Sequence, residues 1–176
     1  LILIARIGEA AHGCGVYNIL PAPVINSAGW AAYTSFLQSG VAGTDFTNDT
    51  AIYLGQSQGT GLKIVREGDP VPNMPGVTFG QVYSLPAIND SSQVAFVAPL
   101  DGPGFTGSGS DSIWVSDAAG NLQSAFTVGV GAKGAFATIT AFGSDRMLVA
   151  GGVDPTPSGG GLPLASASEY DLKQAR

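Results

Sequence analysis

Pro23-Val24-Ile25-Asn26-Ser27-Ala28-Gly29-Trp30-Ala31-Ala32-Tyr33 comes back further along the chain as Pro86-Ala87-Ile88-Asn89-Asp90-Ser91-Ser92-Gln93-Val94-Ala95-Phe96. A period this long is the mark of one supersecondary unit stacked on copies of itself. The match runs on. Asp49-Thr50-Ala51-Ile52-Tyr53-Leu54 answers to Ser110-Asp111-Ser112-Ile113-Trp114-Val115, and Gly61-Leu62-Lys63-Ile64-Val65 to Asn121-Leu122-Gln123-Ser124-Ala125-Phe126. At the start, Leu3-Ile4-Ala5-Arg6-Ile7-Gly8-Glu9-Ala10 parallels Lys63-Ile64-Val65-Arg66-Glu67-Gly68-Asp69-Pro70. The chain therefore opens on the last strand of one unit, runs through two full units and enters a third.

Each unit reads as four short strands. In the second they are expected at Val77–Ile88, Gln93–Pro99, Ser112–Ser116 and Asn121–Val128, each bounded by turn-forming residues. No window supports an amphipathic helix. The third unit is degenerate: Gly134–Ile139 and Met147–Ala150 can be strands, but the turn Gly143-Ser144-Asp145-Arg146 lacks the Asn and the Ala-aromatic pair. The expected fold is all-β, with antiparallel four-stranded repeats of about 60 residues. Four short strands per unit are propeller-blade-like, and two full units leave an incomplete ring within one chain. Residues 1–152 form the repeat domain. Residues 153–176 are a Pro/Gly/Ser-rich linker, Pro155-Thr156-Pro157-Ser158-Gly159-Gly160-Gly161, and a tail.

Composition agrees with β structure and narrows the partners. Charged residues are 11% of the chain, against roughly 25% in an ordinary domain. The formal net charge of −6, with 7 Lys and Arg, excludes nucleic acid, which needs clustered cations. No apolar run is long enough to insert into a membrane. The first residue is not Met, as in a processed or partial chain.

Asn26 and Asn89 suit hairpin corners, because an Asn side chain bonds its own backbone two residues on. Gly29 supplies the left-handed residue such loops need, and Ser92 in its place carries a local cost. Ala32-Tyr33 and Ala95-Phe96 put a small residue on one face of the return strand and a ring on the other. The patterns Asn26-x-x-Gly29-x-x-Ala32-Tyr33 and Asn89-x-x-Ser92-x-x-Ala95-Phe96 resemble the NxxGxxAF tandem-repeat family of bacterial exported proteins. The turns Arg6-x-Gly8-Glu9-Ala10 and Arg66-x-Gly68-Asp69-Pro70 extend the resemblance over roughly residues 1–128. It implies an extracellular or cell-surface location and a many-copy scaffold with no established activity.

Chemical candidates are few. His12 and Cys14 are two apart, a half-site for zinc or copper, but the chain has 1 Cys and 1 His, short of the usual four ligands. A Ser/His/acid set would have to use His12, and Gly107-Ser108-Gly109-Ser110 lacks the strand-to-helix setting of a nucleophile elbow. Glu9, Asp45, Asp49, Asp69, Asp90, Asp101, Asp111 and Asp117 all read as turn residues, without the spacing of a calcium loop. Trp30, Trp114, Tyr33 and Tyr53 could stack on sugars, though strand positions point to core packing. The expectation is thus a protein that is no enzyme, with no catalytic, cofactor or metal residues. It is read as an exported structural or self-assembling repeat protein associating through the open edges Leu1–Ala5 and Met147–Ala150, or through the rest of a longer chain. A carbohydrate- or ligand-binding propeller module, with polysaccharide as partner, is the alternative.

Overall fold

The computed structural model describes residues 2–82, 84–105, 111–126, 138–142, 146–150 and 167–171. It is all-β: no helix occurs among the described residues, and every strand pairing is antiparallel. No described helix is long and apolar enough to cross a membrane.

The first sheet is built on β3 (Ala31–Leu37). On one side of it lie β1 (Tyr17–Ile19) and β2 (Val24–Ile25), and on the other β4 (Thr50–Gly55) and then β5 (Leu62–Arg66). The second sheet is wired alike. There β6 (Thr78–Phe79) and β7 (Ala87–Ile88) flank one side of β8 (Val94–Asp101), and β9 (Asp111–Ser116) and β10 (Leu122–Phe126) follow on the other. A third sheet runs β11 (Thr138–Phe142), β12 (Arg146–Ala150), β13 (Ala167–Asp171). The sheets follow one another in space, since β7 contacts β2 and β3 on one flank and β11 on the other.

Three expectations change. The strand expected at Val77–Ile88 is two pieces, β6 and β7, which both pair with β8. Between them the backbone leaves the ladder to bond the neighbouring sheet: Thr34 Oγ1 donates to the Ser84 carbonyl (2.7 Å) and the Val82 amide donates to Thr50 Oγ1 (2.9 Å). Met147–Ala150 is no open edge, because β12 holds β11 on one side and β13 on the other. Residues 2–5, expected as the other edge, form no strand. Finally β13 falls inside 153–176, the stretch read as linker and tail, and adds a paired strand to the third sheet. Pro155–Gly161, Gly107–Ser110, Gly134–Ala137, Gly143–Asp145 and Leu1 lie outside the described residues.

β4 is buried at every position, so its sequence shows no polar alternation. The reason is that the first sheet is covered on both faces. Ala32, Ile52, Leu54 and Val65 point to a core shared with Val94, Phe96, Ala98 and Trp114 of the second sheet. Tyr33, Ala51 and Tyr53, the alternate residues, point the other way. The small-then-ring order of Ala32-Tyr33 thus splits across two cores, as its spacing requires.

The Asn corners hold the stack together. Asn26 Oδ1 accepts from the amides of Ala28 (3.1 Å) and Trp30 (2.9 Å), closing its own loop. Its Nδ2 then donates to the Asn89 carbonyl (3.0 Å) and to Ser92 Oγ (3.1 Å) in the corresponding loop of the second sheet. Ser27 adds two bonds to Asp90 Oδ1, from its amide (3.1 Å) and its hydroxyl (2.7 Å). Ser92 sits at φ 59° and Gly29 at φ 81°. The serine accepts a left-handed backbone and in that position presents the oxygen that receives Asn26.

Candidate interaction face

Tyr17, Tyr33 and Tyr53 converge on the outer face of the first sheet. Tyr33 and Tyr53 are directly opposed across β3 and β4, with centroids 5.6 Å apart and planes 24° from parallel. Tyr17 meets Tyr53 edge-on (5.4 Å, 80°) and Tyr33 tilted (6.2 Å, 58°). The second sheet carries the same triad with other rings. Phe96 and Trp114 are opposed across β8 and β9, Phe79 meets Trp114 edge-on (5.1 Å, 81°), and Phe79 meets Phe96 tilted (6.3 Å, 60°).

The hydroxyls of the tyrosine triad are satisfied internally. Tyr17 OH and Tyr33 OH share a hydrogen bond (3.1 Å), and Tyr53 OH shares one with Cys14 Sγ (3.3 Å). Burial of the rings pushes all three phenols above their ordinary range. They stay neutral and act as hydrophobic bodies with paired tips. Ile4, Ala5, Cys14 and Leu20 pack on this triad from the N-terminal side. They leave an apolar hollow of about 270 Å³ beside Tyr33, walled by Leu3, Ile4, Leu20 and Ala31.

Most of the other candidates are engaged elsewhere, while Asp49 Oδ1 is buried without a hydrogen-bond partner among the described residues. His12 and Cys14 do not converge as a ligand pair: His12 Nε2 accepts from the Gly61 amide (3.2 Å), while Cys14 meets Tyr53. A Cβ at Gly61 would fall on the His12 ring, which explains the glycine there. Among the described residues no group of three His, Cys, Asp or Glu is placed to hold a metal ion. Of the eight carboxylates, Asp45, Asp69 and Asp117 accept amides of their own turns, and Asp90 accepts from Ser27. Glu9 pairs with Arg6 (2.9 Å) and Gln58 (2.9 Å). Asp101 and Asp111, expected in turns, are strand ends of β8 and β9. Of the four aromatics considered for sugar stacking, Tyr33, Tyr53 and Trp114 are buried, and Trp30 is half-buried against the inter-sheet core.

Glu67 carries no motif that marks it in the sequence. Burial raises its carboxyl above the ordinary glutamate range and the Asp49 charge pushes the same way, while a hydrogen bond from Thr50 Oγ1 (3.1 Å) pulls it down. The net shift is upward, so the folded state holds the proton more tightly than the unfolded chain. The associated stability is full below the unfolded value, about 4.3, and is lost as pH rises through the folded one. Glu67→Gln keeps an acceptor for Thr50 and carries no charge. Its melting temperature should match the parent near pH 4 and exceed it progressively toward pH 7, as read by paired thermal melts.

No curated protein and no solved structure matches the chain significantly. A family model matches residues 1–151, from the tyrosine face through both ring triads to the end of β12, and the chain belongs to that family, a family of unknown function (DUF7453).

Proposed function

We propose that this is an exported, non-enzymatic structural or self-assembling repeat protein of the bacterial cell surface or exterior. In this reading it is made of propeller-blade-like units of about 60 residues, of the NxxGxxAF kind. The observation that carries the reading is the inter-sheet ladder, in which Asn26 bonds its own counterpart in the next unit, Asn89. Two sheets wired alike, each with a ring triad in which the edge-on and the tilted contact recur, add support. Several of the groups that could do chemistry are held in turns and in packing, which favours joining over catalysis. The exported location rests on the low charge and the repeat pattern alone.

The ring positions give a polysaccharide partner little to stack on, since three of the four rings are inside. A scaffold that works by joining should associate. Sedimentation velocity across a hundredfold concentration range should show species at multiples of the single-chain mass. A sole species of single-chain mass throughout would count decisively against assembly.

A further inference from the structure

We infer that the hollow beside Trp114 is a binding site for a small neutral ligand that presents an acetamido-type carbonyl to the indole Nε1–H. The inference does not depend on assembly, because the residues it uses lie within one chain.

The corresponding place in the first sheet is the template. In the turn before β1 the Cys14 amide donates to the Ala11 carbonyl (3.3 Å), and in the turn before β6 the Met74 amide donates to the Val71 carbonyl (3.2 Å). Both turns hold a left-handed residue at the same point, Gly13 (φ 81°) and Asn73 (φ 61°). Cys14 and Met74 are therefore equivalent, and so are His12 and Pro72. Strand register supplies the other wall: Tyr53 is opposed by Lys63 on β5, and Trp114 by Ser124 on β10.

In the first sheet this place is plugged. Cys14 Sγ shares a hydrogen bond with Tyr53 OH (3.3 Å), the His12 ring lies against Gly61, and the Lys63 stem flanks Gly13. In the second sheet each part of the plug is changed. Met74 gives the Trp114 ring nitrogen no partner, Pro72 has no imidazole, and Ser124 has no long stem. A hollow of about 440 Å³ results, walled by Pro72, Asn73, Met74, Leu122, Ser124 and Trp114 itself. Small-molecule sites run to about 300–1,000 Å³.

The wall carries an unmet donor. Trp114 is 1% exposed, and its Nε1 has no hydrogen-bond partner among the described residues. An acceptor brought to such a group gains a bond for which no bond to water is given up. An acceptor reaches it once Met74, an unbranched and half-buried side chain of the same wall, swings aside.

The rest of the lining sets the ligand's chemistry. Among the described residues no Lys, Arg, His, Asp or Glu lines the hollow, so an ion would lose its hydration without meeting an opposite charge. Pro72, Met74 and Leu122 offer apolar contact to a methyl group. A carbonyl beside a methyl is what an acetamido group supplies, carried either by an N-acetylated sugar or by a capped peptide. Held in this way, the ligand needs no exposed ring to stack on.

Proton–nitrogen correlation spectra of the full chain test this. The chain has 2 Trp, and Trp114→Phe identifies the Trp114 indole signal by its loss. N-acetylglucosamine and, separately, N-acetylalanine methylamide are titrated into the millimolar range. At least one should move the Trp114 indole proton saturably and leave that of Trp30 in place. A response to the sugar alone assigns a glycan source, and a response to the amide alone a peptide source. Glucose, which has no carbonyl amide, should bind at least tenfold more weakly. Ser124→Lys installs the first sheet's residue at an exposed strand position. It should weaken binding at least tenfold with the indole still present to report. Trp114→Phe should do the same, read on the backbone amides of Asn73 and Met74. An indole signal unmoved by both compounds, or moved equally by glucose, overturns the inference. So does undiminished affinity in either variant. None of these outcomes touches the scaffold reading, which sedimentation decides.

Discussion

Asn26→Ala is expected to lower the unfolding free energy by about 3 kcal/mol, from four hydrogen bonds worth about 0.5–1.5 kcal/mol each. Two of the four close its own loop and two cross to the second sheet. The melting temperature should fall by roughly 6–12 °C at this chain length. Ser92 separates the crossing bonds from the local ones. Ser92→Gly relieves a left-handed backbone, worth about 1–2 kcal/mol, and forfeits an acceptor worth about 1 kcal/mol. In the parent the two effects nearly cancel. In the Asn26→Ala background no bond remains to lose, so the same substitution should stabilise by about 1 kcal/mol. Denaturant titration of the four proteins reads this change directly. An identical effect of Ser92→Gly in both backgrounds would mean the two loops are not coupled.

The loops show how far the sequence could be read. A recurring Asn at a hairpin corner is legible because its cause is local: an amide side chain bonding its own backbone. That Asn26 also reaches its counterpart is not legible, since spacing along the chain says nothing of distance between sheets. The splitting of β6 from β7 was hidden for the same reason. Thr34 and Thr50 draw Val82 and Ser84 out of the ladder, and both partners lie in another sheet. The opposite faces of Ala32 and Tyr33 are legible because strand geometry alone fixes that alternation. The pairing of β13 was obscured by the Pro/Gly/Ser stretch before it, whose composition governs the connection and not the strand beyond it. For the interaction face, the aromatics were visible as core residues. Their equivalence as two triads needs ring geometry, which periodicity does not contain.

Trp114→Ala should be the most damaging single substitution in the inter-sheet core, costing about 3–5 kcal/mol. Trp114 is 1% exposed and braced edge-on by Phe79, and truncation would leave a cavity between two sheets that cannot close on it independently. Trp114→Phe is expected to behave differently. The indole Nε1 is buried without a hydrogen-bond partner among the described residues, a condition that costs about 1–3 kcal/mol. A phenyl ring removes that group along with part of the volume. The first sheet already shows that a six-membered ring satisfies the triad: Tyr53, at the corresponding position, meets Tyr17 at 5.4 Å and 80°, beside 5.1 Å and 81° for Trp114 on Phe79. Trp114→Phe should therefore stay within about 1 kcal/mol of the parent. Equal losses for Phe and Ala in equilibrium unfolding would show that the indole's size, and not the ring contact with Phe79, holds this layer together.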